Sequence, residues 1–105
     1  DHLRATGLDA ALVRRDAPLA SAESLALAHD PAFVAQMRST LESIRRTGRT
    51  TAIDADTIVA PGTLAAALRA AGSAVAATDA VLDGEVANAF CAVRPPGHHA
   101  THDQA

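Results

Sequence analysis

Ala89-Phe90-Cys91-Ala92-Val93 is a continuous apolar run near the end of the 105-residue chain. It lacks the alternation of a strand with one exposed face, and this pattern is typical of a strand buried on both faces of a parallel sheet. A helical stretch precedes the run and a proline- and glycine-rich loop follows it, which is half of an α/β unit. One strand cannot form a sheet, so the run predicts an α/β fold of which this chain is the front portion. Phe90 and Cys91 are then predicted to be core residues.

Helical signals occupy most of the chain before this run. Asp30-Pro31 supplies an N-cap followed by proline at the first helical position, and Thr47-Gly48 supplies a stop. Between them the apolar residues recur at spacings of four, four and three, namely Phe33, Met37, Leu41 and Ile44. The longest predicted helix extends from about Thr63 to Leu82 and is closed by Asp83-Gly84. Gly72 within it costs about 1 kcal/mol relative to alanine, and the many small residues predict close packing against a sheet.

The remaining segments give weaker signals. A short helix interrupted by Gly7 is predicted between Leu3 and Val13, and another follows Ser21 as N-cap and ends near Ala28. Between Arg49 and Gly62 we expect a loop with brief extended pieces.

Composition limits the classes of protein that this chain can represent. Alanine supplies much of the 49% apolar content and aromatic residues only 2%, so a thin core is expected in what reads as a single small domain. All nine basic residues are arginine, they are dispersed, and the net charge is -3, which argues against nucleic acid as a partner. A single cysteine excludes an internal disulfide and any cysteine-rich zinc module. We expect a cytoplasmic protein with no stretch apolar enough to span a bilayer and no signal peptide.

The loop after the apolar run, residues 94–100, reads Arg-Pro-Pro-Gly-His-His-Ala. In open α/β sheets, ligands bind at the carboxyl ends of the strands, which is where this loop would begin. The two prolines hold φ near -65°, whereas Gly97 admits backbone angles that are closed to other residues. Because neighbouring side chains of an extended chain point to opposite sides, bringing His98 and His99 to one pocket requires a bend before them.

Adjacent histidines are better suited to proton transfer than to chelating one metal ion. Zinc ligands on a helix are usually four residues apart or come from separate elements, whereas two imidazoles can share a proton with one water molecule. We therefore favour acid/base chemistry at His98 and His99. Two alternatives stay open on the residues alone: a surface turn with solvated histidines, and a metal site formed by His98, His102 and Asp103.

Residues 90–100 closely resemble the tandem-histidine motif of the zinc-dependent histone deacetylase superfamily. The resemblance is to the class II form shared with bacterial histone-deacetylase-like amidohydrolases and acetylpolyamine amidohydrolases. Residues 28–34 (Ala-His-Asp-Pro-Ala-Phe-Val), 54–57 (Asp-Ala-Asp-Thr) and 1–4 (Asp-His-Leu-Arg) are similar to further family segments in the same order. His2 stands where the family usually has arginine.

This resemblance implies an arginase/deacetylase fold, a three-layer αβα domain around a parallel sheet, with Zn²⁺ as cofactor. It implies that His99 is the general base and acid, and that His98 hydrogen-bonds the water and adds electrostatic stabilisation. Asp56 is similar to the rim aspartate that accepts substrate N–H groups, although a loop-capping aspartate is the local alternative. Asp56 and Gly97 are thus the predicted substrate-binding residues, and Asp54 is predicted to be structural.

The family's zinc ligands and transition-state tyrosine lie downstream of the tandem histidines, and this chain contains no tyrosine. We therefore interpret residues 1–105 as the N-terminal portion of one deacetylase domain, without metal ligands, and expect it alone to be inactive. The expected substrates are acetylated lysine peptides, acetylpolyamines or small acylated amines. The alternatives are an arginase-like ureohydrolase of the same fold and a non-catalytic helical interaction fragment.

Overall fold

The structure, a computed structural model, describes residues 2–104. Helices dominate it, and its strands are short. The elements in chain order are helix α1 (His2–Ala5), a 3₁₀ turn (Leu8–Ala11), α2 (Ala22–Ala26), α3 (Pro31–Thr47), strands β1 (Thr51–Ala52) and β2 (Ile58–Val59), and α4 (Thr63–Leu82).

Helix α3 begins and ends at the residues that its sequence predicts. The Asp30 carboxylate accepts the N–H of Ala32 at 2.7 Å, and Pro31 occupies the first turn, where its missing N–H costs nothing. Gly48 ends the helix in the left-handed conformation, with φ 70°, and its N–H donates to the Ile44 carbonyl. Local capping chemistry therefore accounts for both ends of α3.

Helix α4 also has its predicted bounds, but its packing partner differs from the prediction. Gly72 is buried, and a Cβ added there would lie 2.1 Å from the carbonyl oxygen of Pro18. The Ala20 N–H donates to the Leu68 carbonyl at 2.9 Å, and an Arg69 guanidinium N–H donates to the Ala17 carbonyl at 2.7 Å. The small residue thus admits an extended segment, residues 17–20, where a sheet was predicted.

The first part of the chain is more broken than a single interrupted helix. Gly7 has φ 73° and separates α1 from the 3₁₀ turn. Ser21 caps α2 as predicted, because its hydroxyl oxygen accepts the Ser24 N–H at 3.1 Å.

A small hairpin forms the centre of the core. Strands β1 and β2 are antiparallel, with Thr51 opposite Val59 and Ala52 opposite Ile58. Val59 packs with Leu41 and Ile44 of α3 in a buried cluster, against which partly buried Met37, Ile53 and Leu64 also pack. This cluster holds α3, the hairpin and the start of α4 together.

The buried strand predicted at residues 89–93 is not formed among the residues that the structure describes. These residues adopt no regular secondary structure, and the side chain of Phe90 is 88% exposed. Cys91 is also exposed, with its Sγ 3.6 Å from the Ser73 carbonyl oxygen, so neither residue is in the core. A strand needs a neighbour for its backbone hydrogen bonds, and among residues 2–104 the two strands pair only with each other. The parallel sheet of the predicted α/β architecture is therefore not formed by these residues.

The chain exposes far more surface than an independent domain of its mass. Its accessible surface is 7767 Å², whereas a compact protein of this size exposes about 5500 Å². Its radius of gyration is 15.7 Å, against about 13 Å expected for roughly 100 residues. The thin core expected from the composition is confirmed, since few apolar residues of the described chain are buried: Ala20, Leu41, Ile44, Val59 and Ala80.

Helix α4 contradicts the expectation that no stretch of the chain is apolar enough to span a bilayer. Its 20 residues reach a mean hydropathy of 1.2 and are long and apolar enough to cross a bilayer by length and composition. Alanine, which is frequent in this helix, supplies much of this mean hydropathy, although each alanine side chain buries little area. This is weak support for a membrane span, and the backbone of residues 17–20 already packs against Gly72 of this helix.

Candidate active site

The tandem histidines occupy the two central positions of a tight turn. Gly97 has φ 70°, and the Ala100 N–H donates to the Gly97 carbonyl at 3.0 Å, which closes the turn around His98 and His99. The centroids of the two imidazole rings are 4.5 Å apart, with their planes inclined at 53°. The bend that two histidines need in order to reach one pocket is therefore present at Gly97.

A second loop, residues 54–57, joins the two strands of the hairpin. Asp54 Oδ1 accepts the N–H of Asp56 at 2.8 Å and the N–H of Thr57 at 2.6 Å. The hydrogen bond from the Asp56 backbone, followed by those from Thr57, holds the pKa of the Asp54 carboxyl below its usual value. Asp54 is thus the structural residue of this loop, as predicted.

Asp56 lies at the tip of the same loop with an exposed side chain. Its carboxylate accepts no hydrogen bond from the residues that the structure describes. The carboxylate that caps this loop belongs to Asp54 instead. The loop-capping alternative for Asp56 is therefore wrong.

One open cleft contains all the predicted site residues. Its walls come from the inner face of α3, from the 51–59 hairpin and from the 94–100 loop, so that Asp56, Gly97, His98 and His99 all line it. Its volume of about 1580 Å³ exceeds the roughly 300–1,000 Å³ of a closed small-molecule pocket. The described residues thus form an open trough rather than an enclosed pocket.

The residues present do not form a zinc site. In the part of the chain that the structure describes, no three histidine, cysteine, aspartate or glutamate side chains lie close enough together to hold a metal ion. Residues 101–104 are not helical; the Thr101 N–H donates to the Gln104 carbonyl, and Thr101 Oγ1 lies 3.3 Å from an Asp103 carboxylate oxygen. The alternative site of His98, His102 and Asp103 is therefore not assembled.

Sequence reasoning missed a contact beside the cleft. The Asp30 N–H donates to the His102 carbonyl at 2.9 Å, which connects the start of α3 to the segment after the tandem histidines. Next to it, the His29 ring lies 5.8 Å from that of Phe33, and His29 Nδ1 is buried without a hydrogen-bond partner among the described residues. Local sequence patterns could not predict this hydrogen bond, because its two backbone groups are far apart along the chain.

The family of the chain is shown by its match, over residues 1–105, to the histone deacetylase domain. The chain belongs to this family. It is 38% identical over 103 residues to a histone deacetylase-like amidohydrolase of Pseudomonas aeruginosa, and 39% identical over 100 residues to the human polyamine deacetylase HDAC10. These stretches cover 98% and 94% of the chain.

The fold is that of part of a histone deacetylase domain. A crystal structure of the HDA15 HD domain superposes on 98% of the chain with a TM-score of 0.85 and 25% sequence identity. The chain spans only 28% of that solved chain, 26% of the Pseudomonas protein and 15% of the human one.

Proposed function

We propose that this chain is the tandem-histidine part of an amidohydrolase that removes acetyl or other acyl groups from amines. The observation that carries the proposal is the open cleft that both the His98-His99 turn and the Asp56 loop line. Membership of the histone deacetylase family along the whole chain supports it over the ureohydrolase alternative.

In the proposed reaction His99 accepts a proton from water while the water oxygen bonds to the acyl carbon. His99 then returns the proton to the amine nitrogen as the C–N bond breaks, which leaves a carboxylic acid and an amine. His98 hydrogen-bonds the same water and stabilises the negative charge that develops on the acyl oxygen. The close approach of the two rings supports this division of roles, because both imidazoles can then reach one water molecule.

Asp56 is the proposed substrate-binding residue at the entrance. Its exposed carboxylate can accept N–H groups of an acetylated lysine peptide, an acetylpolyamine or a small acylated amine. We assign Gly97 to the same function because a left-handed glycine leaves its backbone open to a ligand beside the histidines. The human relative is named as a polyamine deacetylase, which supports an acylated amine as substrate class.

We also propose that the complete enzyme depends on zinc. Residues 2–104 do not supply a ligand set, so the zinc ligands would have to come from other residues of the full-length gene product.

Similarly, we propose that residues 89–93 become a strand of a parallel sheet when the rest of a three-layer αβα domain is present. Their exposed apolar side chains and lack of strand pairing support this.

The test is His99→Ala in the full-length gene product, with His2→Ala as the matched control. His2 lies in α1, is exposed, and does not line the cleft. We expect His99→Ala to abolish deacetylation of an acetylated lysine peptide and of an acetylpolyamine while bound zinc, measured by atomic emission, stays at the wild-type ratio. Loss of zinc with an intact fold would make His99 a ligand. Full activity in the variant would refute the proposed role of His99 as general base and acid.

A further inference from the structure

The segment that carries the tandem histidines makes few hydrogen bonds to the rest of the chain. Two successive turns shape it: residues 97–100, closed by the Ala100 N–H, and residues 101–104, closed by the Thr101 N–H. Within residues 2–104, the Asp30 N–H to the His102 carbonyl is the only hydrogen bond between residues 92–104 and any other part of the chain. This bond therefore connects the two turns to the start of α3.

The backbone of Asp30 is fixed by the cap that its side chain provides to α3. Its Oδ1 accepts the Ala32 N–H at 2.7 Å, and its backbone has φ -58° and ψ 125°. A side-chain cap of this kind fixes the backbone of the capping residue, and therefore the direction of its own N–H. Here that N–H is directed at His102, three residues after His99.

The surroundings of this contact favour a fixed position. Asp30 and His29 are both partly buried, and the His29 ring packs against Phe33, which lines the same cleft as the histidine turn. Partial burial of Asp30 reduces the water that can compete for its N–H, although His102 itself is exposed. The start of α3 thus combines a fixed donor with a partly dry environment.

We propose that Asp30 is a positioning residue for the tandem histidines, acting through its helix cap and its backbone bond to His102. The proposal rests on the proposed function in so far as the positioned groups are His98 and His99. Loss of the cap would release the Asp30 N–H, and the 97–104 segment would then move relative to the cleft.

The decisive comparison uses Asp30→Ala, Asp30→Asn and Ser21→Ala in the full-length gene product. Asparagine is as good an N-cap as aspartate, whereas alanine provides no cap oxygen. Ser21→Ala removes a similar cap from α2, whose hydroxyl accepts the Ser24 N–H, without touching the histidine segment. It controls for a general loss of helix stability.

Amide hydrogen exchange at residue 30, whose N–H donates to the His102 carbonyl, is the first measurement. We expect Asp30→Ala to accelerate it by about 5- to 30-fold, the change that loss of one cap produces in a local opening equilibrium. Asp30→Asn should restore slow exchange, and Ser21→Ala should leave it unchanged. Equal acceleration by Ser21→Ala, or none by Asp30→Ala, would overturn the proposal whether or not the protein is a deacetylase.

Deacetylation kinetics provide the second measurement. We expect Asp30→Ala to lower kcat by about tenfold to a hundredfold with little change in KM, because misplacement by about 1 Å of a catalytic group has this effect. Asp30→Asn should retain most of the activity. Faster exchange with an unchanged kcat in an active enzyme would refute the link to catalysis, whereas an inactive wild-type protein would refute the proposed function instead.

Discussion

Replacing Gly72 by alanine tests the packing of α4 most directly. From helix propensity alone the change should stabilise the protein, because glycine in a helix interior costs about 1 kcal/mol relative to alanine. In the structure, however, the new Cβ would lie 2.1 Å from the Pro18 carbonyl oxygen and 2.8 Å from the Ala20 nitrogen. Both neighbours are backbone atoms, so they can move away only if residues 17–20 move as a segment.

The size of the effect follows from what that movement breaks. The Ala20 N–H bond to Leu68 and the Arg69 bond to Ala17 would be lost or weakened, at about 0.5–1.5 kcal/mol each. Overpacking adds about 1–3 kcal/mol. After subtraction of the propensity gain, we expect Gly72→Ala to lower the free energy of unfolding by about 3 kcal/mol, within a range of about 1–5 kcal/mol.

The assay is urea unfolding of the full-length gene product, followed by circular dichroism at the helix band. Ala74→Gly is the control: this exposed residue lies in the same helix, and the change should cost only the propensity difference of about 1 kcal/mol. An increase in stability of Gly72→Ala by about 1 kcal/mol would show that residues 17–20 do not pack on α4. The reasoning from the close contact would then be refuted.

Three further predictions concern the site and the exposed strand segment. Hydrogen bonds to the charged form of Asp54 lower its pKa, so they should stabilise the 54–57 loop fully above pH 3.8, the usual value for the group. This stabilisation should be lost as pH falls through the lowered pKa. The amide shift of Thr57 should therefore titrate with a midpoint below pH 3.8, and a higher midpoint would contradict this. Asp54→Asn should remove that titration. The isolated chain should not bind zinc tightly at a one-to-one ratio in calorimetry, and such binding would revive the site of His98, His102 and Asp103. Cys91 should react rapidly with a thiol reagent in the isolated chain and slowly in the full-length gene product; equal rates would argue against a buried strand at residues 89–93.

The bounds of α3 and α4 could be predicted because helix signals are local. Caps such as Asp30 and stops such as Gly48 act within one turn, so the sequence contains the relevant neighbours. The bend at Gly97 follows from the same kind of local chemistry. The grouping of Asp56 with the tandem histidines could be predicted only through the resemblance to a family.

The failures concern contacts between distant residues. The apolar run at Phe90 has the composition of a buried strand, but burial requires neighbouring strands, and those described pair with each other. The small residues of α4 correctly predicted a close approach at Gly72, yet no pattern indicated that residues 17–20 would be the partner. The prediction that no stretch is apolar enough to span a bilayer also failed, because the many alanines of α4 raise its mean hydropathy.

The Asp30–His102 hydrogen bond has a consequence for the order of folding. It joins backbone groups about 70 residues apart, and closing a flexible loop of that length costs about 4 kcal/mol of chain entropy. One hydrogen bond contributes only about 0.5–1.5 kcal/mol, so it cannot form until α3, the hairpin and α4 have already shortened the effective loop. The tandem histidines should therefore reach their place among the last parts of the chain to fold, and leave it among the first during partial unfolding.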